Sequence, residues 1–258
     1  MDFKVKDKFF IVTGAGSGFG RAIAEVLLAE GAQVLAVART KEVLVAFQKE
    51  HAGMLDIIAG DITQDNVQLE VIMHCKNNIP DGVVINAGGP PAKAFMETEL
   101  ADWDEAYRLL VRWKVAFVQR IIPLLRQQAY GRIVFVESVS VKQPVENLVL
   151  SNSLRLAVVG FAKSLAKDIA SENITVNVIA PGYHATAAMD RLFKKKAETG
   201  NISVKEAKIV FVRDIPVKKM GEASELASLV LWLLSPHSRY ATGQTFSHDG
   251  GLVQGVFG

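Results

Sequence analysis

Along the chain, short runs of consecutive apolar residues alternate with longer segments whose apolar positions recur at i, i+3, i+4 and i+7. Segments with polar residues among the apolar ones, at Leu55 to Ala59, Thr175 to Ile179 and near Gln244 to His248, also read as strands; the unbroken runs are Phe9 to Val12, Val34 to Ala38, Gly82 to Ile85 and Ile133 to Val136. They have the length and continuity of buried strands. Between them the pattern predicts helices. The first carries Phe19, Ala22, Ile23, Val26 and Leu27 and stops at Gly31; Glu42 to His51 and Val67 to Cys75 follow. Glu99 to Arg126 reads as one long helix or two abutting ones, with Pro123 near its end. A long helix beginning near Ser151 is expected to face inward through Leu154, Ala157, Val158, Phe161, Leu165 and Ile169. Residues 184–214 are more charged and look like helical excursions over the domain, and Leu226 to Leu234 reads as a final buried helix.

Strands alternating with helices at this spacing predict parallel βαβ units with helices on both faces. The expected fold is α/β, a three-layer, doubly wound parallel sheet of Rossmann-like type. Right-handed crossovers put the strand C-termini along one edge, where ligands bind. No linker, internal repeat or low-complexity segment interrupts the pattern, so residues 1–258 are expected to form a single domain.

Composition narrows the class without choosing a function. Hydrophobic content of 50% and charged content of 22% are ordinary for a globular protein, and a net charge of +2 gives no reason to invoke nucleic acid or a membrane surface. The single cysteine, Cys75, excludes an intrachain disulfide, suits a reducing compartment, and reads as a small buried hydrophobe. The start, MDFKVKDKFF, does not read as a signal peptide. The expectation is a soluble, cytoplasmic protein. Its five histidines show no metal-ligand spacing, so no metal site is expected.

Candidate chemistry begins at Thr13-Gly14-Ala15-Gly16-Ser17-Gly18-Phe19-Gly20, between the first strand and the first helix. Glycines there permit a tight turn and a close backbone approach to a pyrophosphate whose charge faces the helix N-terminus. The second strand ends in Ala38-Arg39-Thr40. An arginine at that position accommodates the 2′-phosphate of NADP, where an acidic residue would bind the ribose of NAD. NADP(H) is therefore the preferred cofactor and NAD(H) the alternative.

The Thr-Gly-x-x-x-Gly-x-Gly pattern resembles the short-chain dehydrogenase/reductase family, and the resemblance extends over nearly the whole chain. Asn86-Ala87-Gly88 is similar to the family's Asn-Ala-Gly element beside the adenosine, and Asp61 matches the acidic residue near the adenine. Pro181-Gly182-Tyr183-His184-Ala185-Thr186 is similar to the Pro-Gly-x-x-x-Thr that contacts the nicotinamide end. Gly243-Gln244 and Asp249-Gly250-Gly251 resemble the C-terminal signature. Within the family the chain resembles the 3-oxoacyl-carrier-protein reductases. By that resemblance Gly14, Ser17, Gly18, Phe19, Gly20, Arg39, Asp61, Asn86, Ala87, Gly88, Pro181, Gly182 and Thr186 would line the cofactor.

The catalytic set departs from the family. There a serine polarises the carbonyl, a tyrosine passes the proton, a lysine four residues on holds the ribose, and an asparagine extends the relay. Ser138 stands in the serine's place, but Ser151 occupies the tyrosine position, Arg155 the lysine position and Leu110 the asparagine position. Serine has a higher pKa and shorter reach than a tuned phenol, and arginine cannot give up its proton. Ser151 also reads as a helix N-cap and Arg155 as an exposed arginine one turn on. Glu137 beside Ser138 is a possible base, although strand alternation turns it away from its neighbour. Tyr183 and His184 are possible stand-in acids, and Tyr183 reads equally as a wall of the nucleotide site.

Two functions follow from this departure. One is an NADP(H)-dependent oxidoreductase on a carbonyl/alcohol substrate, with Ser138, Ser151 and Arg155 as catalytic residues, Arg155 also contacting the ribose, and a non-standard proton relay. The other is a catalytically impaired nucleotide-binding protein acting as a sensor or subunit partner. The resemblance further implies a homodimer or homotetramer built through the two long helices around 103–126 and 151–171 and the C-terminal segment, and a substrate-covering segment at 184–219. Lys194, Lys195, Lys196, Lys205, Lys208, Lys218 and Lys219 make that segment basic, which reads as a solvated helix face or as an attraction for an acidic carrier or thioester.

Overall fold

The computed structural model describes residues 2–256. Seven parallel strands form one sheet: β1 (Phe9–Thr13), β2 (Gln33–Ala38), β3 (Leu55–Ala59), β4 (Gly82–Ile85), β5 (Gly131–Val136), β6 (Ile174–Pro181) and β7 (Thr245–His248). Their order is β3-β2-β1-β4-β5-β6-β7. The direction of winding reverses between β1 and β4, which opens a crevice at their C-terminal ends. Consecutive strand residues face opposite layers, as the two-residue period requires. Phe9, Ile11, Val83, Ile133 and Phe135 pack on one face, and Phe10, Val12, Val84, Val134 and Val136 on the other. Because both faces are covered, the central strands β1 and β4 are apolar and buried nearly throughout, whereas the edge strands β3 and β7 carry polar residues.

The helices divide between those layers. Helices α1 (Gly18–Ala29), α2 (Lys41–Glu50) and α9 (Ala223–Leu234) cover one face through Ile23, Leu27, Leu44, Phe47, Leu226 and Val230. Helices α3 (Asp65–His74), α5 (Trp113–Gln127) and α6 (Val149–Ile169) cover the other through Val71, Phe117, Ile121, Val158 and Ala162. The segment before α5 begins as α4 (Leu100–Tyr107) and passes through a π-helical turn at Arg108–Arg112. The two abutting helices are thus one rod with a register slip. Helices α7 (Ala187–Gly200) and α8 (Val204–Asp214) form the excursion, seated on a small cluster of Met189, Phe193, Ile215 and Met220. Cys75 is buried, and burial pushes its thiol up to about 12, so it stays a protonated hydrophobe.

Helix α6 corrects two expectations. Its buried residues are Leu150, Ser151, Arg155, Val158, Ala162, Ala166 and Ile169. Leu154, Phe161 and Leu165 are only partly buried and Ala157 is exposed, so the helix is rotated relative to the face expected from its larger residues. The small side chains of Ala162 and Ala166 face inward, and that stripe carries Ser151 and Arg155 inward with it. Ser151 is also no N-cap, because Leu148 precedes the first helical residue.

The C-terminal edge is fastened by two histidines. His184 lies in the loop after β6 and is 2% exposed. Its Nδ1 is 3.1 Å from the Gly182 carbonyl, which can only accept, so Nδ1 carries the hydrogen. Nε2 must then accept from His248 Nδ1, 2.8 Å away at the end of β7. The rings stack, and Phe19 of α1 meets His184 edge-on. Gly221 lies so close that a Cβ there would be 2.7 Å from the imidazole. A proton on Nε2 would oppose the His248 N–H. Burial and the nearby His248 lower the His184 pKa from 6.5, while the Gly182 carbonyl, Glu225 and Glu222 oppose the shift.

The sign of the pH effect follows. Below 6.5 the unfolded chain takes a proton that folded His184 refuses, so this contribution to stability is full above 6.5 and falls as pH drops toward the lowered value. Urea unfolding across that range is expected to show a loss of stability on acidification that is measurably smaller in His184→Asn. Equal pH slopes in the two proteins would contradict the assignment.

Candidate active site

The turn after β1 is built for close backbone approach. Thr13 donates its hydroxyl to the Asn86 carbonyl at 2.8 Å and accepts from the Asn86 N–H at 2.8 Å, tying the ends of β1 and β4 together. Gly14 has φ of 64°, and a Cβ there would come 2.7 Å from Asn86 Nδ2. A Cβ on Gly20 would lie 2.2 Å from the Gly14 carbonyl oxygen, so α1 can begin this near the strand only with glycine. Ser17 is the exposed N-cap of α1 and its side chain makes no capping bond. The first-turn amides and the Ser17 hydroxyl therefore face the crevice edge, an arrangement that fits a phosphate.

The other expected cofactor residues gather on the same edge. Arg39 is exposed immediately after β2, and Asp61 follows β3 with Oδ1 accepting from the Thr63 N–H at 3.0 Å. Asn86, Ala87 and Gly88 follow β4. Pro181 ends β6 and Gly182 packs against Asp249, a Cβ on the glycine reaching 2.7 Å from Asp249 Cβ. Thr186 is the N-cap residue of α7, and a Cβ on Gly18 would lie 3.8 Å from its Cγ2, so the loop after β6 comes near the turn after β1.

Past β5 the chain turns through Glu137 and Ser138 into a short 3₁₀ turn at Val139–Val141. Ser138 Oγ accepts from the Ser140 N–H at 3.1 Å, leaving its own hydrogen free to be donated outward. Across from it, Arg155 Nε donates to Ser151 Oγ at 3.0 Å. Arg155 Nη1 donates to the Glu137 backbone carbonyl at 3.2 Å and to Glu137 Oε2 at 3.0 Å. The Nη2 end lies against Gly89, where a Cβ would sit 3.0 Å away. Arg155 is 8% exposed, so the expectation of a solvated arginine fails: Glu137 draws it inward.

Lys114 is the residue that motif reasoning passed over, and Glu137, read in the sequence as a possible base, is its partner here. The Glu137 side chain is fully buried, its Oε1 paired with Lys114 Nζ and its Oε2 with Arg155. Strand alternation does turn Glu137 from Ser138, but toward the helices α5 and α6 rather than into a neutral core. Lys114 is 1% exposed on α5, one turn beyond Leu110, which is fully buried among apolar neighbours. Burial pushes the Lys114 ammonium below its usual pKa, the Glu137 carboxylate opposes that shift, and Arg155 adds to it. A lysine inside an otherwise apolar helix face was the one signal in the sequence.

A cavity of about 390 Å³ opens beyond the 3₁₀ turn, walled by Val139, Leu148, Tyr183, Leu192, Phe211 and Val253. Lys195 and Lys196 are at its rim, together with Glu146 and Asp214, so the basic run of α7 meets the cavity but does not make its mouth uniformly positive. Tyr183 stacks edge-on with Phe211, and burial raises its phenol pKa, with Asp214 adding to the shift. That is the opposite of the tuning a proton donor needs. His184 has both ring nitrogens engaged within the protein. Among the described residues, no helix is long and apolar enough to cross a membrane and no group of three or more His, Cys, Asp or Glu is placed to hold a metal ion.

Known proteins share this architecture and sequence. A family model described as enoyl-(acyl carrier protein) reductase matches residues 14–253. The 3-oxoacyl-[acyl-carrier-protein] reductase FabG of Aquifex aeolicus is 30% identical over 261 residues, covering 98% of this chain and 100% of that protein. The NADPH-dependent reductase BacG of Bacillus subtilis is 25% identical, covering 95% of this chain and 97% of that protein. The crystal structure of L-sorbose reductase from Gluconobacter frateurii, complexed with NADPH and L-sorbose, superposes with a TM-score of 0.91 at 26% identity, covering 99% of this chain and 100% of that one. With the strand order, the glycine turn and these matches in agreement, the chain belongs to the short-chain dehydrogenase/reductase family.

Proposed function

We propose that the protein is an NADP(H)-dependent oxidoreductase that acts on a carbonyl/alcohol pair through a non-standard proton relay. The observation that carries this reading is the Arg155 Nε bond to Ser151 Oγ, with Arg155 Nη1 bonded to Glu137, the residue directly before Ser138. Arginine only donates, so Ser151 must accept there and has its single hydrogen left to give. Ser138 is in the same condition, held as an acceptor by the Ser140 amide. Two hydroxyls committed as donors are what a carbonyl oxygen requires.

NADPH supplies a hydride when bound. Carbonyl reduction then places the hydride on carbon and moves the π pair to oxygen. Ser138 polarises that oxygen, Ser151 gives it a proton, and water returns a proton to the Ser151 oxygen while the Arg155 charge stabilises it. The Nη2 end of Arg155 is the part that would reach ribose hydroxyls. Arg39 selects the 2′-phosphate, and the NADPH named for the sorbose reductase and for BacG supports the same choice. The cavity under residues 184–219 takes the substrate, with Tyr183 as a wall. A homodimer or homotetramer is expected from the family, and Leu156 of α6 and Tyr240 are exposed apolar candidates for contact.

A second reading, an impaired nucleotide-binding sensor or subunit partner, is favoured by the engagement of Arg155 with Glu137 and by an apolar Leu110 at the relay position. Turnover separates the two: wild-type reduction of any carbonyl supports the enzyme, whereas activity only in the Ser151→Tyr/Arg155→Lys/Leu110→Asn triple variant supports lost catalysis.

Fluorescence titration is expected to give NADPH binding at least about tenfold tighter than NADH, with Arg39→Asp removing most of that ratio. An unchanged ratio would refute the role of Arg39. In the NADPH-driven reduction, Ser138→Ala and Ser151→Ala are each expected to lower kcat by roughly 10² while NADPH affinity stays within about twofold. Full activity in either variant would remove that serine from the reaction.

A further inference from the structure

We infer that Lys114 and Glu137 are positioning residues for the reaction: Glu137 fixes Arg155 so that Ser151 is held as a donor, and Lys114 leaves the cluster one net positive charge beside the reacting oxygen. The inference rests on the reductase reading above and deepens it.

The geometry separates the two roles. Glu137 uses one carboxylate oxygen and its backbone carbonyl to hold Arg155 Nη1, at 3.0 and 3.2 Å. With Nη1 fixed, the rigid guanidinium plane aims Nε at Ser151, where it donates at 3.0 Å. Glu137 therefore acts on Ser151 through Arg155 without touching it. Glu137 needs only one cation for neutrality, and Arg155 already provides it. Lys114 is a second cation on the other oxygen, 1% exposed and carried by a helix face that is otherwise apolar. A third buried charge is costly to desolvate, and a neutral pair would hold the helices as well. What the extra charge changes is the potential at Ser151 and Ser138. Lys114 and Arg155 against Glu137 sum to +1, which favours negative charge developing on a carbonyl oxygen or on Ser151.

The π-helical turn is how Lys114 reaches this place. Arg108–Arg112 adds a residue to the rod immediately before α5, so residues beyond it rotate relative to α4. Glu137 at the end of β5 and Arg155 on α6 are the charged groups that face Lys114. Since arginine keeps its proton, Lys114 holds the cationic charge that alkaline pH removes, and burial brings that event below the usual lysine range.

The test uses the full chain, NADPH, and a panel of β-keto esters and diketones, with kcat measured against pH. Wild-type kcat is expected to fall on the alkaline side as Lys114 loses its proton. Lys114→Met should lower kcat by about tenfold or more, leave NADPH affinity within about twofold, and abolish the alkaline limb. Lys114→Arg, whose charge does not titrate, should restore kcat to within about threefold and also lack the limb. Glu137→Gln should lower kcat without rescue by either lysine variant. An unchanged kcat and alkaline limb in folded Lys114→Met overturns the inference while the reductase reading stands. Should Lys114→Met fail to fold, a limb that persists in Lys114→Arg overturns it equally. Tight NADPH binding without wild-type turnover of any panel member overturns the reductase reading itself, and the inference falls with it.

Discussion

The Glu137 side chain is closed off from water, and a carboxylate in that position has to be met by positive charge. Much of the local architecture answers that requirement. Helix α6 is rotated so that Arg155 and Ser151 enter the protein while Ala157 remains outside. The rod formed by α4 and α5 changes register through a π turn so that Lys114 points inward. Both helices belong to the layer on the same sheet face as Phe135, and both converge on the residue directly after β5. The ion cluster joins the packing of Ala162 and Ala166 in setting how α6 is turned about its axis, and with it the direction in which Ser151 presents its hydroxyl.

The sheet supplies the other half of the site. In a parallel sheet covered on both faces the central strands are buried along their length, so the crevice lies at the strand ends. Thr13 and Asn86 lock the ends of β1 and β4 around the phosphate turn. His184 and His248 do the same for β6 and β7, and Phe19 links that edge back to α1. The loop after β6 and the glycine turn after β1 are thus parts of one connected rim. A bound dinucleotide would bridge contacts that the protein has already brought together.

The strands, the glycine turn and the order of the helices were legible in the sequence because each rests on local pattern: apolar runs, three-to-four-residue periodicity, and glycines at fixed spacing. Leu55–Ala59 and Gly82–Ile85 appear with the expected bounds. The expected residues at the strand ends, from Gly14 to Thr186, do lie along one edge. The cluster was not legible, since Lys114 and Glu137 are separated by 23 residues and Glu137 and Arg155 by 18. Spacing within one element cannot report such a pair. The π turn adds to the difficulty: counting by the α-helical period across Arg108–Arg112 misplaces the residues after it. On α6 the larger side chains misled, because close packing on the sheet selects Ala162 and Ala166 for the inner face and leaves Phe161 half-covered.

The same geometry explains why arginine at 155 is not a conservative stand-in for lysine. An ammonium is a point charge on a flexible stem, whereas the guanidinium is a planar fork that can address several acceptors at once. Here the fork meets three: the Ser151 hydroxyl, the Glu137 carboxylate and the Glu137 carbonyl. A lysine at this position could neutralise Glu137 or approach Ser151, but its single nitrogen would have to be shared between them. Arginine also fixes the direction of the Ser151 hydrogen by occupying one side of its oxygen with a donor that never titrates. The permanent charge and the titratable one are then on different residues, Arg155 and Lys114, with Glu137 between them. Orientation of the donor is independent of pH, and only the strength of the field around it varies.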